Sequence, residues 1–178
     1  MNNTTTTHTI PRPQAGEHSP YYSKYIDQVP DGDLVSMLRE QLMDTVALLR
    51  NVGDRADYAY APGKWTVKEV IGHLSDTERV MSYRAMCIAR NDKTNLPSFD
   101  ENAFVANANF GRRTLGDLLE ELQVVRAATI HLGKHLDSEE LARRGTASGN
   151  EISARALFYI IAGHERHHVA LLREKYFK

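Results

Sequence analysis

Cysteine is nearly missing from this chain: Cys87 is the one example in 178 residues. That excludes an intrachain disulfide and suits a reducing compartment. Long apolar runs are missing too, and no stretch approaches the roughly 18 residues needed to cross a bilayer. Neither sign of charge is in excess, with 22 Lys plus Arg against 23 Asp plus Glu, so no basic field points to nucleic acid. Met1 to Thr7 offer neither the charged nor the apolar region of a signal peptide. The expectation is a cytoplasmic protein with no nucleic-acid and no membrane partner. Alternating strand patterns and internal repeats are also lacking. What is there is ordinary for one globular domain, 42% hydrophobic and 25% charged, long enough to bury a real core.

Helical periodicity organises most of that domain. Residues 1–19 are rich in Thr and Pro without periodicity and read as a flexible N-terminal arm, leaving 20–178 as the folded unit. Tyr21, Tyr22, Tyr25 and Ile26 form an aromatic patch, either an arm packed on the core or a lid over a pocket. Leu34, Leu38, Leu42, Val46 and Leu49 recur at helical steps after a capping Asp31 or Asp33. Thr66 and Glu69 make a capping box for a second helix, with Trp65 and Val70 as its staple. Its stripe holds Val70, Leu74, Thr77, Val80, Met81 and Ile88, with His73 and Arg84 inside the stripe and Glu78 pointing away.

A third helix begins at Thr114 and carries Leu115, Leu118, Leu122, Val125, Thr129, Leu132 and Leu136. A fourth follows Ser153 and buries Leu157, Ile160, Ile161, His164, His168 and Leu171. The connection from about Asp92 to Arg113 is far longer than an antiparallel hairpin of helices requires, which makes it a crossover. Four amphipathic helices predict an all-α four-helix bundle.

The histidines carry the chemistry. His131 and His135 are four residues apart but lie opposite the leucine stripe of their helix, which predicts a solvated pair. His73, His164 and His168 instead fall on stripes otherwise filled by aliphatic residues. Two readings stand. Each is a core histidine bonded to its own neighbour, or the three share one metal ion, which satisfies a nitrogen on each ring at once. His167 lies at the stripe's edge and His168 nearer its centre. Three neutral imidazoles suit Zn²⁺, Ni²⁺ or Fe²⁺ and leave positions open.

His164-Glu165-Arg166-His167-His168 also matches the H-E-x-x-H metalloprotease signature. The extended metzincin form needs a glycine and a histidine where this chain has Leu171 and Glu174. Glu165 is turned about 100° from His164 and reads as helix-surface charge. Three further residues are candidates near the site. Arg84 is read as pairing with a carboxylate such as Asp100 or binding an anionic substrate group. Asp76, three residues after His73, is placed to orient a ligand or act as a base.

In order and spacing these stretches resemble the DinB/YfiT-like four-helix-bundle metalloproteins. The matching segments are Trp65 to Arg79, Tyr83-Arg84-Ala85, Phe99-Asp100-Glu101, Arg113-Thr114-Leu115 through Arg126, and Gly163 to His168. The resemblance implies helices running up-down-down-up, with the long crossover between helices two and three. It also implies one divalent metal per chain on His73, His164 and His168, and homodimers acting on small molecules. Known members include thiol-dependent transferases, an isomerase and hydrolases named as such by inference. The expected function is thus a metalloenzyme with an open three-histidine site, either a hydrolase or a transferase of a low-molecular-weight thiol. The rival is a non-catalytic bundle stabilised by metal.

Overall fold

The structure, a computed structural model, describes residues 9–178. His8 and the first residues of the expected arm lie outside the described part. A 3₁₀ turn at Pro20–Tyr22 leads into the short helix α1 (Ser23–Ile26). Helix α2 (Leu34–Leu49) starts at Asp33, whose carboxylate accepts from Ser36 N, so Asp33 rather than Asp31 is the cap. Helix α3 (Val67–Ala89) carries the complete Thr66–Glu69 capping box. Helix α5 (Leu115–Gly133) is capped by Thr114 and helix α7 (Ala154–Leu171) by Ser153. These caps satisfy backbone donors that the first turn of a helix leaves unbonded. The four long helices α2, α3, α5 and α7 form the bundle, as the periodicity predicts. Among the described residues, no helix is long and apolar enough to cross a membrane.

Two parts of the chain depart from the sequence reading. Residues 9–19 are not a loose arm. Ile10 is 2% exposed and packs beside Phe158 over Gly133. Glu17 is buried, accepts from Ser153 Oγ at 2.9 Å and from Arg155 Nε at 2.6 Å. An apolar anchor and a buried ion pair hold the segment, and neither shows in a Thr/Pro-rich composition.

The second departure is a small sheet in what reads as loop. Strand β2 (Arg144–Ala147) pairs antiparallel with β3 (Asn150–Ser153), and β1 (Asn95–Leu96) joins β2 in parallel. Ser148 and Gly149 both take positive φ, 52° and 74°, which is the two-residue turn whose twist suits a hairpin. The long connection between α3 and α5 also has structure of its own. It contains β1, helix α4 (Glu101–Ala108) and a 3₁₀ turn at Phe110–Arg112. A further short helix, α6 (Ser138–Ala142), precedes the hairpin.

The apolar core falls into two clusters. One gathers Leu38, Met81, Ile88, Ile130, Leu157 and Ile161, and the other Val46, Val70, Leu74, Leu122 and Leu172. Helices α2, α3 and α5 have side chains in both, α7 reaches the second through Leu171 at its end, and between the clusters each long helix carries buried polar residues at one level. These are Gln41 and Thr45 on α2, His73, Thr77 and Glu78 on α3, Arg126 on α5, and His164, Glu165 and His168 on α7. A polar layer thus crosses the bundle. Burying such groups is costly unless each finds partners, so the layer is where function is to be sought.

Candidate metal centre

The layer has two sides. On one, α3 brings His73 toward His164 and His168 of α7. His164 and His168 lie one helical turn apart, so both rings leave α7 on one side. His164 Nε2 is 3.1 Å from His73 Nε2 and 3.1 Å from His168 Nε2, and all three donor atoms lie within 4.8 Å of one another. His167 is half-buried and stays outside this cluster, its ring against Tyr25 and His168. His131 and His135 face solvent.

Burial pushes the His73 pKa down to about 4 and that of His168 to about 3. His164 is lowered well below the ordinary imidazole range, by burial first and then by its histidine neighbours. All three rings are therefore neutral near pH 7, the form that ligates metal. A neutral imidazole nitrogen offers either one N–H or one lone pair, so His164 Nε2 cannot satisfy both 3.1 Å contacts in line. A cation that accepts three lone pairs resolves the conflict. Zinc–nitrogen bonds of about 2.0–2.1 Å set tetrahedral nitrogens about 3.3 Å apart, close to the two 3.1 Å separations from His164 Nε2. The residues fit a divalent ion, and His73, His164 and His168 are the ones that could hold it. Thr77 Oγ1 lies 3.4 Å from His73 Nδ1, on the ring edge turned away from the cluster. His168 Nδ1 is buried with no partner.

The cluster opens into a cavity of about 310 Å³. Tyr25 stands edge-on to His164 at 5.3 Å between ring centres, and Trp65 covers His73 at 4.7 Å. Tyr22 and Phe99 complete the aromatic wall. Of the Tyr21–Ile26 segment, Tyr21, Tyr22, Lys24 and Tyr25 line the cavity. Two glycines allow the close packing behind the histidines. A Cβ at Gly163 would lie 2.0 Å from the Tyr25 carbonyl oxygen, and one at Gly72 would lie 2.4 Å from the Phe110 ring.

The other candidates are scattered. Arg84 is 2% exposed and lines the same cavity. It does not pair with Asp100, because it bonds instead to Pro97 O at 2.6 Å and Ser148 Oγ at 3.0 Å. Asp100 is exposed and caps α4 through Asn102 N and Ala103 N. Asp76 is not among the residues lining the cavity. It faces Arg79 at 3.4 Å, and burial raises its pKa. Among the described residues, Glu101 is the one carboxylate that lines the cavity.

The far side of the polar layer corrects two expectations. Glu165 is not surface charge and Glu78 does not point to solvent, for they are 1% and 3% exposed. Arg126 lies between them, 1% exposed. It bonds Glu78 through two 2.8 Å contacts, Glu165 at 2.9 Å and Leu38 O at 2.9 Å. Thr45 Oγ1 donates to Glu165 Oε1 at 2.6 Å, and Gln41 donates to the other oxygen. The sequence held one signal for this network: Arg126 interrupts the apolar stripe of α5 between Leu122 and Thr129. A void of about 10 Å³ between His164 and Arg126 separates the two sides.

The profile of the DinB superfamily matches residues 37–172, which includes most of α2, all of α3, α5 and α7, and all three histidines. The chain belongs to the DinB superfamily. An Oceanobacillus iheyensis protein named "Putative metal-dependent hydrolase" is 23% identical over 157 residues, covering 82% of this chain and 89% of that one. Among solved structures, YfiT from Bacillus subtilis is described as "a probable metal-dependent hydrolase with an unusual four-helix bundle topology". It aligns with a TM-score of 0.66 at 19% identity, over 91% of this chain and 89% of that chain. A DinB-like protein of the same organism, YjoA, gives 0.57 at 21% identity, over 80% and 88%. At such identities the two structures establish the shared fold. Membership of the superfamily accounts for the bundle and leaves the reaction to the site.

Proposed function

We propose that this DinB-superfamily protein is a metalloenzyme that binds one divalent ion through His73, His164 and His168. The observation that carries the reading is the convergence of three buried, neutral imidazole nitrogens within 4.8 Å at the floor of an open cavity. Three protein ligands suit a catalytic site, since structural zinc sites usually have four. Zn²⁺, Ni²⁺ and Fe²⁺ all accept this donor set. When bound, such an ion supplies Lewis acidity that acidifies water or a thiol and polarises a carbonyl. The chain's own part is to keep the imidazoles neutral by burial. Trp65 and Tyr25 fix the rings and restrict water, and the cavity admits a small molecule.

The names of the relatives favour metal-dependent hydrolysis. One feature favours transfer of a low-molecular-weight thiol instead. Asp76, Asp100 and Glu165 do not line the cavity, so among the described residues water would depend on one exposed carboxylate, Glu101, as its base. A thiol bound to a metal is deprotonated without one. A cytoplasmic homodimer completes the proposal, and light scattering at known protein concentration reads the assembly.

Metal analysis of purified protein tests the centre, with His73→Ala, His164→Ala and His168→Ala beside the wild type. About one ion per chain is expected in the wild type and little in each variant. Full occupancy in all three variants would place the metal elsewhere. With metal present, thiols and simple esters offered side by side separate transferase from hydrolase. Metal that supports folding with no turnover of either class would mark the ion as structural.

A further inference from the structure

At the far end of the cavity from the histidines, the guanidinium of Arg84 is buried without a carboxylate partner among the described residues. Burial works against its charged form, and the phenol of Tyr22 beside it offsets this only in part. Its structural bonds use one nitrogen. Nη2 donates to Pro97 O at 2.6 Å and to Ser148 Oγ at 3.0 Å, whereas Nη1 reaches the thioether of Met81 at 3.7 Å, with the Tyr22 phenol and the Phe99 ring as the other neighbours of the guanidinium. A thioether is a weak acceptor, so a strong donor is left facing the cavity.

Arg84 and the three histidines line the same cavity. Arg84 and His73 are three turns apart on α3, about 16 Å by helical rise. Helical side chains lean toward the N-terminus, and the Met81 contact shows that Arg84 does so. The remaining span between guanidinium and histidines is on the order of 10 Å, given the reach of the side chain. A second cation serves the same cavity: Lys24 Nζ sits over the Tyr21 ring at 4.1 Å and the Tyr25 ring at 4.8 Å. The hairpin explains itself here, because its turn delivers Ser148 to Arg84 and its pairing with β1 fixes the strand that leads into Pro97.

We propose that Arg84 is the anion-recognition residue of the site, so that the substrate is an elongated small molecule with a carboxylate or phosphate tail on Arg84 and its reactive end at the histidines. Guanidinium matches both anions through paired N–H donors. The inference deepens the metalloenzyme reading and uses it only to orient the ligand.

The test is binding to the zinc-loaded protein of a homologous series of straight-chain dicarboxylic acid monohydroxamates and their methyl esters. The hydroxamate reports the metal and the tail reports Arg84. The acids are expected to bind tenfold or more tighter than their esters, with an optimum chain length. The advantage should vanish in Arg84→Met and be partly kept in Arg84→Lys. Equal binding of acids and esters at every length in wild type overturns the proposal without requiring any variant to fold, and so does an advantage that survives Arg84→Met. If no hydroxamate binds, the metal reading has failed on its own. Thermal shifts of the metal-free protein with succinate and with inorganic phosphate then decide the anion site, and also separate its two chemistries. A shift with either that is lost in Arg84→Lys or Arg84→Met supports the proposal, and no shift with either overturns it.

Discussion

Arg126 holds Glu78 in two parallel hydrogen bonds, Nε to Oε1 and Nη2 to Oε2, each 2.8 Å long, with both side chains sealed from water. The same guanidinium reaches Glu165, so one cation serves two buried carboxylates. Nearby acids hold the Arg126 pKa above its usual value against the opposing effect of burial, which is the larger single influence. The network ties α3, α5 and α7 together at the level of the histidines.

Removing the cation should therefore be severe. Arg126→Met leaves two carboxylates buried with no countercharge, and breaking a buried pair from one side costs about 3–5 kcal/mol. Urea unfolding should show that loss. Replacing Glu78, Arg126 and Glu165 together by apolar residues of similar size should cost less than the single change. If the single variant is the milder one, the triad is not the buried lock described.

Glu165 stands next to a metal-ligand candidate yet faces the other way, into Thr45 and Gln41. Glu165→Gln should lower stability by about 1–3 kcal/mol through weakened charged hydrogen bonds. The folded variant should still bind metal at the wild-type ratio. A catalytic base would behave otherwise: stability would change little and turnover would collapse.

The three depressed histidines link stability to pH in the metal-free protein. Unfolded, each binds a proton below about pH 6.5, while folded His73 resists until about 4 and His168 until about 3. Between those limits the unfolded state binds more protons, so stability falls as pH falls. Each ring adds at most about 1.4 kcal/mol per pH unit. Urea midpoints of chelator-treated protein should drop between pH 7 and 4.5, with a shallower slope in His73→Ala. A slope unchanged by that substitution would mean that other groups set the dependence.

Much of this was open to reading in the chain itself, for local reasons. Thr66 with Glu69, Thr114 and Ser153 announce helix starts through bonds that span three residues. His73, His164 and His168 stood out because apolar stripes seldom carry imidazoles. The Glu78–Arg126 pair spans 48 positions, and a single helical wheel cannot show that a second helix buries its flank. From sequence alone Glu78 and Glu165 therefore look solvated, the default for a charge. The hairpin was hidden by polar, small residues, although Ser148-Gly149 is a recognised turn pair. Without Ser148 in place the partners of Arg84 cannot be inferred, and a carboxylate such as Asp100 is the default partner for a buried guanidinium.

The aromatic wall depends on a missing methyl group. Gly163 precedes His164 on α7, and a Cβ there would fall 2.0 Å from the carbonyl oxygen of Tyr25 and 2.4 Å from its carbonyl carbon. Those are backbone atoms, so no rotamer change relieves the clash, and α1 must move. Gly163→Ala should cost about 1–3 kcal/mol as overpacking, partly offset by the better helix propensity of alanine. The histidines sit on α3 and α7 rather than α1, so metal content should hold. Tyr25 would lose its edge contacts with His164 and His167, and amide exchange across residues 20–29 should rise. Wild-type exchange in that segment with unchanged stability would show that the wall does not rest on Gly163.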